Sequence, residues 1–319
     1  MNHRTLSFLL GTCLALTTLF VHAQYPNKPI RIIVPFAAGG ASDTAARSLG
    51  QALSKSMGQP VLIENRPGAS GSLAAQAVLT APGDGYTLLW ASASMAAIPL
   101  VQKASPFQSL NELTPISMVG RLGYCMYVPS SLPVKTVGEF ISYARANPEK
   151  LSYATGSLGE YIVTKQFMKA VGINLVQVPY KGGAQAMPDL IAGRVQLNFG
   201  PFAAGLPYVK SGKLRMLMTL QSARSAAMPN VPTLEESGVQ NLFTPTWQAL
   251  FAPPKTAQAI VDRINREVAI ALRDAALLSQ FDLQAIQPEA STPSALAVSV
   301  TEDLEKWRRL ARENNVAQE

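Results

Sequence analysis

From Pro29 onward, short apolar or β-branched runs alternate with longer segments whose apolar residues recur at helical spacing. "IRIIVP" (30–35) predicts a strand. "SDTAARSLGQALSKSMG" (42–58) predicts a helix, with Ala45, Leu49, Ala52, Leu53 and Met57 on one stripe and a stop at Gly58. "PVLIEN" (60–65) and "YTLLWAS" (86–92) predict two more strands, separated by a helix over 70–81 and the turn "PGDG" (82–85). This βαβαβ rhythm argues for an α/β protein built on doubly wound, mostly parallel sheets flanked by helices.

The middle of the chain follows the same grammar. Helices are expected over 136–148, 160–172 and 183–194, the last with an interior Pro188. Strands are expected over 151–155, 175–180, 195–200, 213–220 and 246–254. Two amphipathic helices, Thr256 to Arg273 and about Thr292 to Asn314, close the chain without a sheet of their own. No linker, repeat or low-complexity tract divides the sequence. The economical arrangement returns the tail to the first βα block. One lobe then comprises 24–120 with 244–319, the other comprises 121–243, and a cleft lies where the chain crosses between them. Ligands of open parallel sheets sit outside the carboxyl ends of strands, so the loops after those strands face that cleft.

Composition narrows the chemistry. Residues 1–23 read as a cleaved leader: a positive start at Arg4, an apolar run from Leu6 to Val21, and the small-x-small site Val21-His22-Ala23. The expected product is an exported chain with no membrane insertion of its own. Both histidines of the sequence, His3 and His22, fall in that leader. A mature chain without histidine excludes Ser-His-Asp and Cys-His catalysis and lacks the commonest metal ligand. With Cys125 as the one cysteine left, no metal or other cofactor is expected. "LGYCMYV" places that cysteine on a buried strand. The net charge of +7 is scattered, and the densest basic group, around Lys306 to Arg312, is interleaved with acids as on a solvated helix face. Nothing reads as a nucleic-acid stripe.

Three glycine-rich strand-to-helix turns carry the candidate chemistry. Gly39-Gly40-Ala41-Ser42-Asp43 follows the first strand. Glycines there let the backbone approach a ligand and present its N–H groups, and a helix N-terminus adds partial positive charge. The spacing is neither G-x-G-x-x-G nor a P-loop, no lysine follows, and Asp43 repels a phosphate. The plainer reading has Ser42 or Asp43 capping the helix. "ENRPGASGS" (64–72) reads as a turn. "YATGSLGEY" (153–161) repeats the arrangement in the second lobe with Thr155, Gly156, Ser157 and Gly159, and a pair of such loops grips one ligand from two sides. Tyr180 and Lys181 in "VPYKGG" end another second-lobe strand. Trp247 either stacks on a ligand or packs in the core.

In order along the chain, "YPNKPIRIIVPFAAGGASD", "GQPVLIENRPGASG", "APGDGYTLL", "SLPVKTVGEF", "VPYKGGAQAMPDLIAGRVQLNF", "NVPTLEESG" and "LFAPP" resemble the Bug-type substrate-binding receptors of tripartite tricarboxylate transporters. The resemblance implies a periplasmic, two-lobed, type II-like binding fold that closes on a small organic acid. It also implies delivery to membrane permease subunits and no catalysis. In that family the first-strand loop and the loop after the "YAT" strand hold a carboxylate. Carried over, this marks Phe36, Ala37, Gly39, Gly40, Ser42 and Asp43, with Thr155, Gly156, Ser157 and Gly159. Ser92 and Ser94 follow the third strand, and Tyr180, Lys181 and Trp247 match family positions.

Two departures qualify the match. "TGSLGEYI" lacks the Pro and His common after the second-lobe strand and adds Glu160, and Phe199-Gly200-Pro201 stands where many members have "FDN". A carboxylate inside a carboxylate-gripping loop is costly unless it points away or meets a cationic group. Glu160 is therefore either a first-turn helix acid favoured by the dipole or a contact that shifts the ligand toward an amino, amide or aromatic acid. Two other function classes share the sequence features: a sensor subunit docking on a membrane kinase, and an enzyme on the same fold, for which no nucleophile–base pair is legible.

Overall fold

A computed structural model describes residues 25–102, 105, 107–180, 182–221, 223–225, 227–240, 242 and 246–314. The leader expected over 1–23 and the candidate Lys181 lie outside the described residues. In chain order the first block contains β1 (Ile30–Val34), α1 (Ala41–Met57), β2 (Val61–Asn65), α2 (Ser72–Leu79), β3 (Thr87–Ser92), α3 (Ile98–Val101) and β4 (Thr114–Leu122). The middle block contains β5 (Tyr124–Pro129), α4 (Val137–Ala146), β6 (Ser152–Thr155), α5 (Leu158–Val171), β7 (Val176–Pro179), α6 (Gly183–Ile191), β8 (Leu197–Pro201), α7 (Phe202–Lys210) and β9 (Leu214–Thr219). The tail contributes β10 (Trp247–Ala252), α8 (Gln258–Ala271), α9 (Ala275–Leu283), β11 (Ile286–Pro288) and α10 (Pro293–Glu313).

These elements form two sheets. The six-stranded sheet runs β11-β4-β10-β3-β1-β2, and the five-stranded sheet runs β7-β6-β8-β5-β9. The chain passes from the first to the second at Gly123, because β4 continues through Arg121 and Leu122, and it returns between β9 and β10. Both sheets are mixed rather than mostly parallel. β1 pairs in parallel with β2 and β3, and β6 with β7 and β8. β10, however, runs antiparallel to β3 and β4, and β5 antiparallel to β8 and β9. The crossings account for this. β5 and β10 each enter their sheet from the other one, at the end where β8 and β3 finish, so they must run back the opposite way.

Side chains alternate across each sheet with the strand period of two. Ile30, Ile32 and Val34 of β1 pack with Leu49 and Leu53 of α1 and Ile264 of α8, whereas Ile33 faces Ala75 of α2 and Trp307 of α10 in the opposite layer. In the second sheet Met126 and Val128 join Phe140 of α4 and Phe167 of α5, while Cys125 and Tyr127 join Leu190 of α6 and Leu206 of α7. Burial pushes the Cys125 thiol up to about 12, so it behaves as a small hydrophobe and not as a thiolate. Contacts at both ends join the halves: Ala285 of the tail belongs to an apolar cluster of the second sheet, and its carbonyl accepts the Gly123 N–H at 3.0 Å. Ile162 of α5 belongs to the apolar cluster of the first sheet, beside Leu158 and Tyr161, and α5 packs on the 93–97 segment that follows β3.

Candidate functional site

The first loop, 36–43, leaves β1 at its carboxyl end and enters α1, with Ala37, Ala38 and Gly39 open to solvent. The N-cap of α1 is Gly40, not Ser42 or Asp43, and no side chain caps it. A helix leaves its first N–H groups without internal acceptors, so the turn presents uncapped donors of partial positive charge. Gly39 holds the left-handed region at φ +80°, which glycine adopts without strain.

Asp43 braces this loop from within. It is 3% exposed, and its Oδ2 accepts the Gly39 N–H at 2.9 Å and the Arg47 Nε–H at 3.0 Å. Its Oδ1 accepts from Asn65 Nδ2 at 2.9 Å and pairs with an Arg47 Nη at 3.0 Å. The same Asn65 amide donates to the Phe36 carbonyl at 3.0 Å. Burial alone raises this carboxyl. The Arg47, Gly39 and Asn65 hydrogen bonds, together with the Arg47 charge, outweigh burial and hold it below the usual aspartate value. Asp43 is thus a neutralised strut. Arg47 and Asn65, not visible as site residues in the sequence, complete it.

Ser42 faces the sheet. Its hydroxyl donates to Gln248 Oε1 of β10 at 3.0 Å, and the Trp90 indole N–H donates to the same oxygen. Gln248 stands opposite Ser92 in the β10–β3 ladder, and the Ser92 and Ser94 hydroxyls share a hydrogen bond of 2.9 Å. Phe36, Ala37, Gly39, Gly40, Ser42, Asp43, Ser92 and Ser94 therefore gather at one end of the six-stranded sheet.

The second loop, 155–160, repeats the design at the carboxyl end of β6. The Thr155 carbonyl accepts the Tyr180 N–H at 2.7 Å, and the Thr155 hydroxyl accepts from Gln177 Nε2 at 3.1 Å. Ser157 is the N-cap of α5, its hydroxyl accepting the Glu160 N–H at 3.3 Å. Gly156 lies so close to the start of α6 that a Cβ there falls 2.1 Å from the Gly183 nitrogen. Gly159 occupies the first turn of α5.

Glu160 turns inward and, like Asp43, accepts a loop N–H: Gly156 donates to its Oε2 at 2.6 Å. Its Oε1 lies 2.8 Å from the place a Cβ on Gly183 would take. Among the described residues no Lys or Arg pairs with it. Burial pushes this carboxyl up to about 7, against the Gly156 N–H and the neighbouring Asn198 side chain, which favour the charged form. Asn198 of β8 is fully buried. Its Nδ2 donates to the Ala154 carbonyl at 3.1 Å, and its Oδ1 has no partner.

Two candidates turn their side chains away from these loops, although the Tyr180 backbone is hydrogen-bonded to Thr155. The Tyr180 hydroxyl donates to Asp189 at 2.7 Å, and Arg194 pairs with the same carboxylate. Burial and the Asp189 contact raise that phenol to about 12. Trp247 is fully buried, and its indole N–H donates to Asp303 at 2.5 Å. It lines a cavity of about 340 Å³ with Arg121, Tyr124, Gln221 and Lys306, at the crossing between the sheets. No residue of either loop lines that cavity.

The profile of the tripartite tricarboxylate transporter family receptor matches residues 45–316. Protein BugT of Bordetella pertussis is 33% identical over 293 residues, covering 91% of this chain and 90% of the relative. Among solved structures, R. palustris Rpa4515 with adipate superposes with a TM-score of 0.88 at 30% identity, over 92% of this chain and 100% of that one. MatC from Rhodopseudomonas palustris, with bound malate, superposes with a TM-score of 0.78 at 28% identity, over 90% and 99%.

Proposed function

The chain belongs to the tripartite tricarboxylate transporter receptor family, and from that premise we propose that it is an exported receptor that closes loops 36–43 and 155–160 on a small organic acid. In this reading each sheet with its helices is one lobe, the leader over 1–23 directs the chain to the periplasm, and the acid passes to membrane subunits of a tripartite transporter. The observation that carries it is the uncapped start of α1, with the one acid in its first turn already neutralised by Arg47 and Asn65. Such a turn offers donors to an incoming carboxylate without a competing negative charge. Adipate and malate in the solved relatives support the same ligand class. Nothing in either loop pairs a nucleophile with a base, so the reading assigns capture and release, not chemistry.

A thermal-shift panel of organic acids tests it. At a ligand concentration of about 100 times Kd the fold gains about 2.7 kcal/mol, a plain upward shift in melting temperature. No shift with any acid, together with an empty cleft in native mass spectrometry of the purified protein, overturns the proposal. Loss of uptake of the identified acid in a deletion strain tests delivery separately.

A further inference from the structure

The two loops differ in what they have left to offer a ligand. In the first, the Asp43 carboxylate is balanced by the Arg47 guanidinium and the Asn65 amide, and the uncapped turn presents N–H donors. In the second, the Gly156 N–H is already occupied by Glu160 Oε2, and the Glu160 N–H by the Ser157 hydroxyl. The Leu158 and Gly159 N–H groups at the start of α5 stay free as donors among the described residues, and what the first loop does not match is the acceptor chemistry beside them. Glu160 Oε1 lies over Gly183, and Asn198 Oδ1 is buried and unpartnered. The Asn198 orientation is set by its environment, because only the NH₂ end can meet the Ala154 carbonyl at 3.1 Å. Its oxygen therefore points along β8 toward the carboxyl end of the strand, 2.7 Å from where a Cβ on Gly200 would sit. Glycine at 200 leaves room beside that buried oxygen, and a buried acceptor without a donor favours an N–H that can reach it.

We propose that Glu160 and Asn198 make the second loop a receptor for a hydrogen-bond donor, so that the solute is a carboxylic acid whose far end carries an amide or ammonium N–H and not a second carboxylate. This deepens the reading of the cleft as an organic-acid site and rests on it. The first loop takes the carboxylate; the second discriminates by charge and by donor count. A second carboxylate brought to Glu160 meets like charge and an unpaired acceptor, whereas an amide or ammonium satisfies both.

The test is calorimetric binding of matched acids of four to six carbons: each dicarboxylate, its monoamide and the corresponding ω-amino acid. Measurements at about pH 8 keep Glu160 ionised, above its value of about 7. The wild-type protein is expected to bind the best amide or ammonium member roughly tenfold or more tighter than the dicarboxylate of equal length. Glu160→Gln keeps an oxygen for the Gly156 N–H but turns an NH₂ outward, and is expected to bring that ratio below about threefold or invert it. The circular dichroism spectrum and melting temperature of the variant establish that it is folded. Dicarboxylates binding wild type as tightly as their amides, or a ratio unchanged by Glu160→Gln, overturns the assignment while leaving the organic-acid reading intact. Failure of every acid to bind overturns both.

Discussion

Asp43 and Glu160 hold equivalent places in the two halves of the molecule. Each is the third residue of its helix, and each accepts the N–H of a glycine four residues upstream, from Gly39 at 2.9 Å and from Gly156 at 2.6 Å. An acid at this position closes the preceding loop onto the helix start and gains from the helix dipole. The surroundings then separate the pair. Arg47 and Asn65 hold Asp43 ionised, while Glu160 is buried among neutral groups and is pushed up to about 7.

That difference makes folding stability depend on pH through Glu160. Its folded value lies above the ordinary glutamate value of 4.5, so the native state holds the proton more tightly than the unfolded chain. The associated stability is fully present below about pH 4.5 and is lost as pH rises through about 7. The shift corresponds to roughly 3 kcal/mol at most. Denaturation at a series of pH values is expected to show wild type falling over this window relative to Glu160→Gln, which retains the Gly156 hydrogen bond and does not titrate. Parallel curves for the two proteins contradict the account.

Removing the strut of the first loop is expected to damage both fold and binding. Asp43→Ala leaves the Gly39 N–H without its acceptor and takes one acceptor from the Asn65 amide and the carboxylate from Arg47, which keeps Asn65 Oδ1 at 3.1 Å, a loss of roughly 2–3 kcal/mol. Arg47→Ala is expected to cost less, because the Arg47 side chain is 52% exposed and its exposed end is solvated in either protein. Melting temperatures rank the two. Affinity for the acid identified in the screen is expected to fall more in Asp43→Ala, where the Gly39 turn loses its anchor.

How far these loops were legible in the sequence follows from the physics of each contact. The alternation of Ile30, Ile32 and Val34 against Ile33, and the glycines after β1 and β6, are local patterns, and both loops were marked from them. The crossing strands were harder. The apolar pattern predicts no element at β4 or between the two tail helices, where α9 and β11 form, and antiparallel entry at β5 and β10 depends on where the chain changes sheets. Arg47, Asn65, Gln248 and Asn198 escaped for a related reason. Ser42 and Gln248 meet across 206 residues, a relationship set by strand order alone. No local signal distinguishes such a glutamine from a surface one.

The two loop glycines are expected to respond differently to alanine. At Gly39 a Cβ meets nothing within 4 Å, so the penalty is the left-handed backbone alone, about 1 kcal/mol. At Gly156 the Cβ lands 2.1 Å from the Gly183 nitrogen and 2.2 Å from the Gly182 carbonyl carbon, and both contacts are backbone. Gly156→Ala must separate the starts of α5 and α6, at about 3 kcal/mol. Chemical denaturation measures both. Equal losses would show that the close approach at Gly156 is not maintained in solution.

Trp247 offers a clean separation between a core residue and a ligand contact. Its ring is fully buried in the cluster of the first sheet, and its indole N–H reaches Asp303 at 2.5 Å, where Lys306 also contacts the carboxylate at 3.1 Å. Trp247→Phe keeps most of the apolar volume and removes the N–H donor, leaving a buried carboxylate one bond short. The expected loss is about 1–2 kcal/mol of stability, seen as a lower denaturation midpoint with an unchanged slope. Affinity for the bound acid is expected to stay within about twofold of wild type, because the residue lines the cavity at the sheet crossing and neither loop does. A tenfold or larger fall in affinity with stability preserved would instead place Trp247 against the ligand, and would move the binding site from the loops to the crossing.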